Sequence, residues 1–188
     1  MRKLIYEGLD MPDISCAQTI DMIIKALTIT IGAAASSIAL LTWKQSIKTK
    51  RAEFINQIIE KIRFNKEFSK AVYYIDYEQN WYNANYHGSE LEPKIDMVLS
   101  YFSYICYLRE TRLISKKELD IFEYWLKRLC DSQSIQLYLW NIYHFSNARK
   151  SPCSFKSLID YGLDNGFLPK GLTDPNFVEF KNKRYLNF

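Results

Sequence analysis

The hydrophobic pattern is dominated by one uninterrupted apolar stretch near the N-terminus. From Ala26 to Trp43 the segment ALTITIGAAASSIALLTW carries no charge. At 1.5 Å per residue it makes about 27 Å of helix, enough to cross the hydrocarbon core of a bilayer. Ile23 and Ile24 lengthen it, and Lys25 can snorkel to the headgroups. Trp43, followed by Lys44, sits where an interfacial aromatic belongs. A transmembrane helix is therefore predicted over 20–43, behind an N-terminal extracytoplasmic segment, 1–19. A cleaved signal peptide fits less well, although Ala33, Ala34 and Ala35 look like a cleavage site. Glu7, Asp10, Asp13 and Asp21 lie where such a peptide is basic, and the apolar run continues past the alanines. A buried helix of a soluble bundle is opposed by the charge flanking the segment. Arg2, Lys3 and Lys25 precede it, against Lys44, Lys48, Lys50, Arg51, Lys61 and Arg63 after it. That asymmetry predicts a cytoplasmic C-terminal side.

Beyond Trp43 the period changes but the helix signal does not stop. No Pro or Gly occurs from Ala33 to Tyr86. Ile47, Phe54, Ile55, Ile58, Ile59 and Ile62 recur at helical spacing with charge on the other face. This predicts a basic stalk helix, 44–68. Next, EFSKAVYYIDYEQNWYN reads as an aromatic helix with Tyr73, Tyr77 and Trp81 on one face. That face suits packing against a neighbour, and secondarily stacking a nucleobase. YHGSELEP is a loop. A helix from Lys94 to Arg112 turns Ile95, Val98, Leu99, Phe102, Ile105 and Cys106 inward. Ser115 and Glu118 form a capping box ahead of Leu119, Phe122, Leu126 and Leu129. Ser134 opens a further helix, and Ser154 caps a short one to about Tyr161. These make a cytoplasmic helical bundle, 69–168, followed by a Gly/Pro-punctuated C-terminal tail, 169–188. The predicted fold class is all-α: one N-terminal transmembrane helix continuing into a stalk helix and a cytoplasmic helical bundle.

Inside the apolar stretch the small and polar side chains are not scattered. Lys25, Thr28, Gly32, Ala35, Ala39, Thr42 and Ser46 are spaced alternately three and four apart, a heptad stripe on one helix face. Gly32 and Ser36 add a small-xxx-small pair. Leu27, Ile31, Ile38 and Leu41 occupy a face suited to lipid. Lipid gives no reason to gather small and hydroxylated residues on one stripe. Close helix–helix contact does, and so does a wet lumen. One such helix per chain meets either need through copies of itself or a partner, so a homo-oligomer in a lipid bilayer is expected.

Composition narrows the chemistry. Among the 188 residues, 48% are hydrophobic and 15% aromatic, with 14 Tyr; Gly (6) and Pro (5) are scarce, which disfavours an all-β chain. The net charge of +4 is too small to require nucleic acid, and direct nucleic-acid binding is not expected. Cys16, Cys106, Cys130 and Cys153 form no C-x-x-C pair, and with only His87 and His144 no metal spacing arises. They read as reduced thiols. Triads and phosphate loops are absent, so no catalytic, metal or cofactor residues are assigned and no enzyme is expected. Glu90 and Glu92 read as solvated charge. His144 shares a helix face with Trp140, a core position, and with Asn141 forms a candidate polar cluster. Helical nucleases of the HEPN class use an Arg and a His separated by four to six residues. Here Asn80, Trp81 and Tyr82 stand at that distance before His87, and Leu137, Tyr138 and Leu139 before His144.

The stretch ALLTWKQSIKTKRAEFINQIIEKIRFNKEF joins a short anchor ending in Trp-Lys to a basic stalk. It resembles small N-terminally anchored membrane accessory proteins of type VI-B CRISPR antiphage systems, which are encoded beside an RNA-targeting effector. The resemblance covers about Ile20 to Phe68, and the remainder matches in layout. The Lys, Ile, Asn and Tyr bias suits an AT-rich bacterial genome. The resemblance implies a homo-oligomer of the bacterial inner membrane with a central passage, a degenerate HEPN-like helical domain, and a functional link to an RNA-guided CRISPR effector. The expected function is thus a pore that permeabilises the inner membrane. The alternatives are a membrane-anchored sensor of a nucleotide second messenger, using the aromatic segment from Tyr73 to Tyr86, and a degenerate HEPN-type ribonuclease.

Overall fold

A computed structural model describes residues 16–77 and 80–186. Its elements are all helical among the described residues. In chain order they are α1 (Cys16–Phe64), α2 (Lys66–Tyr77), α3 (Glu92–Glu110), the single turn α4 (Lys116–Leu119), a 3-10 turn (Asp120–Phe122), α5 (Glu123–Asp131), α6 (Gln133–Ala148), α7 (Lys156–Asp164) and a last 3-10 turn (Lys170–Thr173). The chain divides into two compact units between Ala52 and Glu53.

The first unit is a single long, apolar helical segment. Every residue from Gln18 to Lys50 is exposed within the chain, and none of the apolar window is buried. Leu27, Ile31, Ile38 and Leu41 are each more than half exposed. A helix apolar on all sides and uncovered by its own chain has the length and composition of a membrane span. The segment 1–15 lies outside the described residues.

The second unit is built around α3. Ile95, Val98, Leu99, Phe102 and Ile105 are fully buried, as their spacing predicts. α2 and α7 pack on α3, and α5 packs on α6. The last turns of α1 belong to this core: Ile55, Ile58 and Ile62 are buried in it. Tyr101 on α3 donates its hydroxyl to the Ile58 carbonyl at 3.4 Å, and Lys61 Nζ lies 4.6 Å over the Tyr101 ring.

Within 44–68, where a stalk continuous or with one kink is expected, the helix is interrupted once. α1 closes at Phe64, and Asn65 starts a new helix by accepting the Phe68 amide on its side-chain oxygen at 2.9 Å. That is an N-cap bond, and Asn is among the best caps because its short amide reaches the third helical N–H. Phe68 is then fully buried as part of α2. Ser69 Oγ ties the corner by donating to the Ile62 carbonyl at 2.9 Å.

The capping box at Ser115 and Glu118 is present in both directions. Two other caps lie elsewhere than predicted. Ser132, not Ser134, caps α6 by accepting the Ile135 amide. α7 starts at Lys156 without a side-chain cap from Ser154. The tail from 169 is part of the core, since Leu172 and Phe180 are buried against it.

Candidate functional site

The stripe of the apolar helix comes first. Lys25, Thr28, Gly32, Ala35, Ser36, Ala39 and Thr42 all lie on exposed surface of the chain. A Cβ added at Gly32 would meet nothing within 4 Å. The hydroxyls, however, are already engaged. Thr28 donates to Ile24 O, Ser36 to Gly32 O and Thr42 to Ile38 O, at 2.8–2.9 Å. Thr30 and Ser37 do the same to Ala26 O and Ala33 O at 2.8 Å. Back-bonding to the i−4 carbonyl satisfies each donor inside the helix, which is what a hydroxyl in hydrocarbon requires. The stripe therefore needs no water to be stable, and its small side chains leave the backbone open to close approach. Lys25 pairs with Asp21 at 2.6 Å; the two are four residues apart on the same face.

A second constellation sits where the loop between α2 and α3 meets α3 and α6. Trp81, Tyr82 and Tyr86 are buried there with Tyr138 of α6. The Tyr82, Tyr86 and Tyr138 ring centroids lie 5.0–5.2 Å apart. His87 bridges two partners. Its Nδ1 lies 2.8 Å from Glu92 Oε1 and its Nε2 lies 3.1 Å from Tyr82 Oη. A carboxylate only accepts, so Nδ1 donates to Glu92, and Nε2 and the Tyr82 hydroxyl share the second hydrogen bond. Gly88, at φ +82°, donates its amide to Glu92 Oε2 at 2.7 Å; that left-handed conformation favours glycine. Burial would raise the Glu92 carboxyl, but the Gly88 amide and His87 outweigh it and bring it below its usual value. Glu92 is thus a clamped hydrogen-bond acceptor, not the solvated charge its sequence setting indicates. Tyr138 Oη donates to Asp96 Oδ1 at 2.6 Å. Burial raises the Asp96 carboxyl despite that bond. Burial also pushes the Tyr82, Tyr86 and Tyr138 phenols well above their ordinary values. Both His87 nitrogens are engaged by these partners, which tie the loop to the start of α3. The arrangement is a latch that fastens the loop.

Asn141 and His144, the expected polar pair, each bond the tail's backbone. Asn141, fully buried, donates Nδ2 to Leu137 O at 3.0 Å and to Lys183 O at 3.1 Å. Its Oδ1 accepts the Tyr185 amide at 3.1 Å. His144 Nε2 meets the Leu172 carbonyl at 3.1 Å, and Trp140 donates its indole N–H to Asp174 O at 2.9 Å. Burial lowers the His144 pKa, partly opposed by the Leu172 carbonyl. Three consecutive inward positions of α6 therefore hold the tail by its backbone.

Two adjoining surface cavities of about 380 and 340 Å³ share Arg109 and Tyr161. Their walls mix Arg112 and Lys116 with Glu110, Asp120 and Asp160. The one thiol there, Cys106, is raised by burial, and burial takes Cys130 up to about 12; neither is an activated nucleophile. Among the described residues no three His, Cys, Asp or Glu side chains gather as a metal site.

The predicted aromatic face divides. Trp81 lies outside α2 and is buried, whereas Tyr73 and Tyr77 stay on α2 with their rings in solvent. No family model, no curated protein and no solved structure matches the chain.

Proposed function

We propose that this chain is a membrane effector that acts as a homo-oligomer in a bacterial inner membrane. The apolar helix anchors it, copies associate along the stripe from Lys25 to Thr42, and the assembled helices form a pore that permeabilises the bilayer. The C-terminal helical domain lies on the cytoplasmic side, as the Lys and Arg excess after Trp43 favours. Its role is to enhance RNA-guided antiphage defence, a reading that rests on the resemblance of the anchor and stalk to type VI-B accessory proteins. The domain's helices serve as a degenerate HEPN-like bundle without catalytic function.

One observation carries the reading. None of the apolar window is buried among the described residues, yet the helix keeps an ordered face of small residues whose hydroxyls are internally satisfied. Such a face lets helix backbones approach in lipid, where packing and not the hydrophobic effect drives association.

Gly32→Leu tests it. A Cβ added there meets nothing within 4 Å among the described residues, and leucine favours the helix more than glycine does, so a loss of assembly points to contact between copies. Light scattering on detergent-solubilised protein should show a smaller assembly for Gly32→Leu and an unchanged one for Ile38→Leu, with dye uptake in expressing cells lost only for the former. Equal behaviour of the two variants would remove the stripe from the mechanism.

A further inference from the structure

α2 buries Phe68, Ala71 and Ile75 and turns its other face to solvent. The exposed residues of that face are Lys66, Glu67, Lys70, Tyr73, Tyr74 and Tyr77. Tyr73 and Tyr77, one turn apart, stack with centroids 6.0 Å apart and planes at 14°. They are 61% and 74% exposed. A parallel pair of phenol rings, both largely exposed among the described residues, presents its outer π-faces.

α5 places a cation beside them. Arg128 donates Nε to Asp76 Oδ1 at 3.2 Å, which pins the guanidinium at the C-terminal end of α2. Tyr124, one turn before Arg128 on α5, is itself 66% exposed. With Nε committed, the two Nη groups remain as a fork of the shape that fits a phosphate. Lys70 is paired with Glu67 at 3.1 Å, and Lys66, exposed on the same face as Tyr73 and Tyr77 by helical spacing, carries positive charge at the other end of the stack.

We propose that this face of α2, with Tyr124 and Arg128 of α5, is a stacking platform for single-stranded nucleic acid: bases lie on Tyr73 and Tyr77 and a phosphate on Arg128. The openness of the surface decides between ligands. Sites for free nucleotides are concave and enclose most of the ligand. Strands bind instead on exposed aromatics along a charged track, one base per ring. A lipid surface fits less well, because interfacial binding scales with the apolar area buried and the exposed face of α2 carries no aliphatic side chain. The site is independent of the membrane stripe.

The test uses the full chain in nanodiscs of neutral lipid, with fluorescence polarisation of short labelled oligoadenylate and oligouridylate RNA. Binding is expected for both probes, since stacking is sequence-tolerant. Tyr73→Ala and Tyr77→Ala each weaken it by about tenfold, while Tyr73→Phe and Tyr77→Phe hold it within about twofold because the ring face is kept. Arg128→Gln lowers the slope of log affinity against log salt by about one. Absence of binding to both probes, or binding that the alanine variants retain, overturns the proposal. So does a shift in α2 amide exchange on changing to anionic lipid that the alanine variants abolish, with no RNA bound; that result assigns the face to headgroups.

Discussion

Asn141→Leu isolates the bond between α6 and the tail. Leucine is close to asparagine in size, so the substitution removes hydrogen bonds without opening a cavity. Of the three bonds lost, the one to Leu137 O costs little, because that carbonyl keeps its place in the α6 ladder. The other two hold the Lys183 carbonyl and the Tyr185 amide. An orphaned buried backbone group costs about 1–3 kcal/mol. Lys183 is exposed and Tyr185 half-buried, so water recovers part of each, and the low end applies: about 2 kcal/mol for the pair. That is about a thirtyfold rise in local opening. Hydrogen exchange on the full chain in detergent reads it directly. Protection of the Tyr185 amide should fall by about that factor, while the amides of Phe102 and Ile105 in α3 hold. Unchanged protection at Tyr185 would refute the assignment. A uniform loss across α3 and the tail would show that the tail and core open only together.

Two further outcomes follow from buried contacts. Gly162→Ala should cost about 1–3 kcal/mol by denaturant midpoint, because the new Cβ would lie 2.6 Å from Leu168 and 3.3 Å from Cys130 Sγ, both buried; a neutral effect would mean that Leu168 repacks freely. His144 has a folded pKa below its unfolded value, chiefly through burial. The unfolded chain therefore binds the extra proton, and the contribution is complete above about pH 6.5 and lost as pH falls through the lowered folded value. His144→Gln should flatten that part of a melting-temperature profile taken from about pH 8 to 5, and a slope unchanged by the substitution argues against His144 as its source.

Much of the helical fold is legible in the sequence, for a simple reason. The inward face of α3 follows from a 3.6-residue period alone, and the Ser115–Glu118 box from two residue types at fixed spacing. The apolar helix announces itself by length. What escaped depends on turns, where no period applies. Tyr82, His87 and Glu92 meet because Gly88 reverses the chain between them. The tail has no repeating pattern, yet Leu172 and Phe180 complete the core because Trp140, Asn141 and His144 grip the intervening backbone. The shared face of Tyr73, Tyr77 and Trp81, expected to pack against a neighbouring helix, divides. Trp81 lies outside α2 and enters the core, and the two tyrosines are left exposed.

The burial of Leu172 and Phe180 also sets a schedule for synthesis. The ribosome delivers the apolar helix first and the tail last. The C-terminal unit begins at Glu53 but lacks part of its core until Phe180 has emerged. At roughly 5–20 residues per second, that leaves an interval of several seconds or more. During it the apolar helix is already out and the unit behind it is unfinished. The nascent helix is thus open to capture before the domain can close, and factors that shield incomplete helical cores have their window of action then.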